Sequence, residues 1–173
     1  MAVINLSRVN INDVDNLIQI SISTFEETFA TQNTAKDMAD CIATKFGHIS
    51  ISNEINNPNS EFYLLTYNSI IAGYLKLNYG TAQTELQAQN CIEIERIYIL
   101  EAYKNQKLGT NLLQKAIEIA KQKKVNFIWL GVWEHNTKAL TFYTHKGFKA
   151  FATHPYKLGN DVQMDIMMKL IVE

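Results

Sequence analysis

A chain of 173 residues, 47% of them hydrophobic, has the length of one average domain with material for a full core, and a second catalytic domain would not fit. With 16 Lys+Arg against 17 Asp+Glu and a net charge of -1 it offers no field for a polyanion, so dedicated nucleic-acid binding is disfavoured. Cys41 and Cys91 are too far apart for a CxxC site, no signal-peptide pattern opens the chain, and no run approaches the roughly 18 apolar residues of a membrane span. A soluble protein of a reducing cytoplasm is expected.

Val3 to Val9 reads as a short strand, followed by a helix capped at Asn12 or Asp13 whose apolar positions Val14, Leu17, Ile18, Ile22 and Phe25 recur at helical spacing. Thr34 caps a second helix to about Phe46, and a third spans about Ile49 to Ile55, stopping before Pro58. EFYLLTY, the turn Asn68-Ser69 and IIAGYLKLNY form a hairpin, and CIEIERIYI, residues 91 to 99, is the next strand. Lys107 to about Gln122 is the best helix, with Leu108, Leu112, Leu113, Ala116, Ile117 and Ala120 on one face. FIWLGV, residues 127 to 132, has the unbroken apolarity of a buried central strand. Asn136 caps a helix to Lys146, Gly147 supplies its left-handed cap, and Phe148 to Thr153 and Val162 to Val172 are strands. No linker or repeat interrupts the series, so residues 1–173 read as one α/β or α+β domain.

The motifs of P-loop NTPases, Rossmann oxidoreductases, α/β-hydrolases and zincins are missing, and the histidines His48, His135, His145 and His154 have no ligand spacing, so no metal is expected. Cys91 lacks a neighbouring histidine and suits a small buried hydrophobe better than a nucleophile. Chemistry is concentrated in CIEIERIYILEAYKNQKLGTNLL, residues 91 to 113, a strand, a loop and a helix start. A helix entered from a loop presents unpaired N–H groups and a positive dipole end, which together bind phosphate without a metal. Lys104 and Lys107 add charge to that loop, and Gly109 permits close approach of a ligand to the backbone.

These residues resemble the Gcn5-related N-acetyltransferase (GNAT) superfamily, whose pyrophosphate loop follows Q/R-x-x-G-x-G/A. The loop Lys104-Asn105-Gln106-Lys107-Leu108-Gly109, continuing to Thr110, fits that pattern with Lys104 for Gln/Arg and Lys107 for the first glycine; a register beginning at Gln106 would end on Asn111. NTKALTFYTHKGF, residues 136 to 148, matches the superfamily's N-x-x-A-x-x-F-Y-x-x-x-G-F signature throughout, and IEIERIYI, KAIEIA and IWLGVWE are similar to its bacterial polyamine N-acetyltransferases. The resemblance implies a mixed, mostly antiparallel sheet flanked by helices, and acetyl-CoA as cofactor. It implies that the main chain of Ile97, Tyr98 and Ile99 holds the acetyl and pantetheine portion. Independently of the family, Asn136, Ala139 and Tyr143 stand at i, i+3 and i+7 on one helical face, with the small Ala139 leaving room beside it.

Acetyl transfer to an amine needs the neutral amine. An alkylammonium of pKa about 10.4 is neutral to only about one part in two to three thousand at pH 7, a handicap of roughly 4.6 kcal/mol. Glu93 and Glu95 lie two apart on one strand and so face one side, which suits a carboxylate base acting directly or through water. By resemblance to polyamine acetyltransferases Glu95 is the first candidate base and Glu93 the second, and Tyr143 is the acid for the coenzyme A thiolate. The acceptor site is sought at Phe25, Glu26 and Glu27 of the first helix and at Glu134.

Spermidine or spermine is the expected acceptor. An aminoglycoside, an amino acid or a protein N-terminus stays open, as does a non-catalytic acyl-CoA-binding regulatory module. A transcriptional regulator is argued against by the near-neutral charge. MDIMMKLIV is an apolar strand that would pair across the subunits of a homodimer if it were exposed.

Overall fold

The computed structural model describes residues 2–85, 90–158 and 161–172. Strand β1 (Ile4–Arg8) is followed by α1 (Val14–Phe29), α2 (Ala35–Lys45) and α3 (His48–Asn56), then by β2 (Ser60–Tyr67), β3 (Ile70–Tyr79) and β4 (Cys91–Ile99). The chain continues through α4 (Leu108–Gln122), β5 (Phe127–Trp133), α5 (Thr137–His145), β6 (Lys149–Leu158) and β7 (Asp161–Ile171). The seven strands form one sheet in the order β1-β2-β3-β4-β5-β7-β6. Every neighbouring pair is antiparallel except β4 and β5, which run parallel and are joined by the crossover helix α4.

Local signals account for the element ends. Thr34 caps α2 by accepting from the Asp37 N–H at 3.1 Å, and Asn136 caps α5 by accepting from the Ala139 N–H at 3.1 Å. Asp13 is the N-cap position of α1 but makes no side-chain cap bond there; the capping side chain is Asn10, whose Oδ1 accepts from the Asn12 N–H while Asp13 reaches back to the Asn10 N–H, and this box starts a short 3-10 turn leading into α1. Asn68 and Ser69 take φ of 49° and 67°, the conformation that a two-residue hairpin turn between twisted strands demands. Strand β6 runs beyond Thr153 and through Pro155; it is an edge of the sheet, where the missing N–H of proline costs little.

Two hydrophobic layers hold the sheet. On one face α4 and α5 bury Leu108, Leu112, Leu113 and Tyr143 against Ile92, Ile94, Ile128 and Leu130. On the other, α1 to α3 bury Leu17, Ile51 and Phe46 against Phe62, Leu64 and Tyr74. Each fully buried large apolar side chain contributes about 1.5–3 kcal/mol, so the two layers carry most of the driving force. A third cluster, Cys91, Trp129 and Met167, is held down by Gln83, whose Oε1 accepts from Trp129 Nε1 at 2.7 Å and from Cys91 Sγ at 3.3 Å.

One expectation is overturned. The segment MDIMMKLIV lies in β7, which is hydrogen-bonded to β5 on one side and β6 on the other, so it has no free edge for a second subunit. Of its apolar residues Met167 and Met168 are buried within the sheet, while Ile171 is exposed. No described helix is long and apolar enough to cross a membrane.

Candidate active site

Strands β4 and β5 pair only at Cys91–Phe127, Ile92–Ile128 and Glu93–Trp129. Beyond that point β4 stays with β3 as far as Ile99, and β5 stays with β7 as far as Trp133, so the two parallel strands part and the sheet opens in a V. The backbone of residues 95 to 99 is left without a strand partner on that side. A substrate carbonyl or amide laid in the opening would find those main-chain groups, the use expected for Ile97, Tyr98 and Ile99.

At the mouth of the V the β3–β4 register slips: Lys76 lies opposite Arg96, whereas Leu77 lies opposite Ile94. Glu95 is therefore the extra residue of a β-bulge, and the bulge re-aims everything after it. Ile92 and Ile94 pack toward α4, but so do Ile97 and Ile99, while Tyr98 and Leu100 pack toward α1 to α3. Plain alternation would put Glu93, Glu95 and Ile97 on one face. The bulge keeps Glu93 and Glu95 together and turns Ile97 to the opposite side.

That the two glutamates share a face is fixed by Asn78, whose Nδ2 donates to Glu95 Oε2 at 2.6 Å and to Glu93 Oε2 at 3.1 Å. Their environments differ. Glu93 is 4% exposed and accepts from the backbone and hydroxyl of Thr84; burial pushes its carboxyl up, and the bonds from Thr84 and Asn78 only partly offset this. For Glu95 burial also pushes up, but the charges of Arg96 and Lys76 outweigh it and hold the carboxyl below the usual range. Lys76 Nζ lies 2.5 Å from Glu95 Oε2, and Arg96 Nη2 lies 3.1 Å from Oε1. Both cations are shared with Glu54 of α3, which takes Arg96 in a fork at 2.8 and 2.9 Å and Lys76 at 3.2 Å. None of Lys76, Asn78, Arg96, Glu54 or Thr84 stood out in the sequence. The only hint is LKLN, where polar residues alternate with apolar ones on a strand otherwise suited to burial.

Tyr143 of α5, in the layer that α4 and α5 form on the sheet, is 8% exposed, with its ring against Phe142 (5.1 Å) and Phe148 (5.5 Å). Burial alone raises its hydroxyl well above the ordinary phenol range, and the Tyr143 hydroxyl in turn contributes to raising that of Tyr98 on β4. The hydroxyl is therefore neutral at neutral pH. On the same sheet face as Glu93, Asp165 of β7 stands over Gly131 of β5, where an added Cβ would meet Asp165 Oδ2 at 3.2 Å. Burial raises the Asp165 carboxyl and the nearby His154, itself paired with Glu85, lowers it, with a net upward result.

The loop from Lys104 to Thr110 joins β4 to α4. The first helical bond is from the Asn111 N–H to the Lys107 carbonyl at 3.2 Å, so the N–H groups of Leu108, Gly109 and Thr110 start the helix without partners in it. Asn105 and Lys107 take φ of 63° and 62°, and Lys107 is the N-cap of α4. That left-handed turn is what a glycine would adopt there, in keeping with the register that sets Lys107 at the first glycine of the loop pattern. Gly109 faces open space, with nothing within 4 Å of an added Cβ, and Lys104, Asn105, Gln106 and Lys107 are exposed. Two lysines and three unpaired N–H groups at a helix start fit a pyrophosphate. Because a non-glycine left-handed residue costs about 1–3 kcal/mol, Lys107→Gly is expected to stabilise the fold by about 1 kcal/mol, raising the unfolding midpoint by about 2–4 °C in a thermal scan. An unchanged or lower midpoint would show that Lys107 is not strained.

Other expected acceptor residues are dispersed. Phe25 is 5% exposed and stacks on Phe29 and Phe46 inside the α1 to α3 core, so it does not line an open site. Glu26 is exposed on α1, and Glu27 is spent on the Glu101 N–H at 2.8 Å, pinning α1 to the end of β4. Glu134 is exposed at the β5–α5 turn beside His135, and Ala139 is half-buried on α5. No group of metal-ligating side chains occurs among the described residues.

The family model described as the acetyltransferase (GNAT) family matches residues 17–148. The chain is 37% identical over 169 residues, 98% of each protein, to an uncharacterized N-acetyltransferase in the pepI 3' region of Lactobacillus delbrueckii subsp. lactis. It is 25% identical over 166 residues to the spermidine N(1)-acetyltransferase of Thermoplasma acidophilum, covering 94% of this chain and 96% of that one. The crystal structure of PaiA N-acetyltransferase from Thermoplasma acidophilum in complex with coenzyme A superposes with a TM-score of 0.78 at 25% identity, over 96% of this chain and 98% of that one. The chain belongs to the GNAT family of acetyltransferases.

Proposed function

We propose that this acetyltransferase transfers the acetyl group of acetyl-CoA to a primary amine of a polyamine such as spermidine, with Glu95 taking the amine proton and Tyr143 supplying a proton to the leaving sulfur. The observation that carries the reading is the V between β4 and β5 with the carboxylate of Glu95, held ionised by Lys76 and Arg96, beside the unpaired stretch of β4, while α5 carries the neutral phenol of Tyr143. The family relationship and the likeness to a spermidine N(1)-acetyltransferase support the substrate class.

Acetyl-CoA, when bound, supplies the activated acetyl thioester. The residues of this chain do the rest. The N–H groups of Leu108, Gly109 and Thr110, with Lys104 and Lys107, hold the pyrophosphate at the positive end of α4. The unpaired main chain of Ile97 to Ile99 orients the pantetheine arm and polarises the carbonyl, contributing through positioning and fixed dipoles. Asn136 is occupied in capping α5, so its part is to fix the helix that carries Ala139 and Tyr143.

Glu95 remains ionised at neutral pH because two cations hold it down, so it is available to accept a proton and to hold an ammonium. Glu93, raised by burial and engaged with Thr84, is the second carboxylate of the face. Asp165 and Glu85 make the same face acidic toward β7 and β6, and a polyamine's remaining charges would be met there. The test is release of free thiol from acetyl-CoA with a panel of amines at pH 7 to 9. Spermidine and spermine are expected to turn over, with aminoglycosides, amino acids and peptide N-termini slower. Turnover of peptides alone would reassign the acceptor, and no turnover with any amine would favour a non-catalytic acyl-CoA-binding module.

A further inference from the structure

We propose that Glu54 is a positioning residue that receives Lys76 when the acceptor amine takes the place of Lys76 on Glu95. This rests on the reading of Glu95 as the group that meets the amine.

Both acceptor positions of Glu95 Oε2 are occupied. Oε1 takes Arg96, and Oε2 takes both Lys76 at 2.5 Å and Asn78 at 2.6 Å. An ammonium that is to reach Oε2 therefore has to displace one donor. Arg96 is the least free to leave, because Glu54 grips its guanidinium through both oxygens at 2.8 and 2.9 Å and its plane lies over the Phe46 ring at 5.3 Å. Asn78 is neutral, so its departure would leave the charge competition unchanged. Lys76 is a compact ammonium on a flexible stem, already 3.2 Å from Glu54 Oε1, and can slide onto that oxygen while staying above the Phe62 ring.

Charge favours the same exchange. Lys76, Arg96, Glu54 and Glu95 sum to zero, and their side chains are only 5%, 10%, 24% and 19% exposed. A second ammonium at Glu95 is tolerated only if the first has another anion beside it, since an unpaired charge at that depth is costly. Glu54 is that anion. When the amine gives its proton to Glu95 Oε2, the N–H bond breaks, the O–H bond forms, and Lys76 and Arg96 share Glu54 as their remaining anion. No other bond changes in this step.

The decisive experiment is a double-mutant cycle on spermidine kinetics, with thiol release as the readout and acetyl-CoA affinity as the control. Glu54→Gln strands Lys76 on Glu95 and is expected to raise KM for spermidine about 10-fold with the acetyl-CoA constant unchanged. Lys76→Met placed in that background leaves Arg96 facing Glu95, removes the competitor and is expected to bring KM back to within about 3-fold of wild type. A merely structural Glu54 would give additive or worse losses in the double variant, and that result overturns the proposal. Should Glu54→Gln fail to fold, Lys76→Met alone decides: KM for spermidine is expected to fall, and a rise or no change overturns the exchange. Glu95→Gln separates the two readings. If that variant keeps wild-type kcat/KM, the base assignment fails; if it loses activity while the double variant shows no rescue, only the role of Glu54 fails.

Discussion

Glu95→Gln is expected to lower kcat/KM for spermidine at pH 7 by about 10²- to 10⁴-fold, the range for loss of a general base. Gln keeps the size of the side chain and an acceptor oxygen for Asn78, so the bulge should survive. It loses the charge that neutralises Lys76 and Arg96 and the site for the amine proton. Part of the loss should return as pH rises toward 9, because solution then deprotonates the amine and removes part of the roughly 4.6 kcal/mol handicap at pH 7. For the wild type the carboxyl of Glu95 lies below its ordinary range, so it is ionised well below pH 7 and sets no limb near neutrality. Glu93→Gln should cost less, since Glu93 is buried under Thr84. Circular dichroism on each variant separates lost chemistry from lost fold.

Tyr143→Phe is expected to lower kcat by about 10- to 10²-fold with little change in the apparent affinity for acetyl-CoA, the pattern for an interaction made mainly in the transition state. The loss is smaller than for Glu95 because a thiolate leaves readily. The ring contacts with Phe142 and Phe148 survive in the Phe variant, so the measurement isolates the hydroxyl. Full kcat in a folded Tyr143→Phe protein would assign the tyrosine to packing.

The elements proposed to carry the coenzyme were legible because their signals are local. A cap is read from one residue, as at Thr34 and Asn136, and the loop from Lys104 to Gly109 announces itself by charge and a glycine beside a strongly amphipathic helix. The bulge at Glu95 was not legible, because a slip of one residue depends on where β3 lies, and alternation along β4 continues on paper through Ile97. The ion quartet was hidden for a related reason. Glu54 looks like a surface residue of a short helix and Lys76 like a solvated strand residue, until α3 packs on the sheet and buries both. Phe25 failed as an acceptor residue because helical spacing identifies a buried face but cannot tell a core from a cleft.

The central claim is that a carboxylate-lined opening acetylates a polycationic amine. The most direct measurement compares kcat/KM for spermidine with that for butylamine, by thiol release at pH 8 and low salt. Both present a primary amine of similar basicity, and only spermidine carries further charges for the acidic face of Asp165 and Glu85. Spermidine should be favoured by about 10-fold or more, the worth of roughly one extra charge contact, and the ratio should shrink as salt rises. Equal rates for the two amines, or a preference for butylamine, would contradict it.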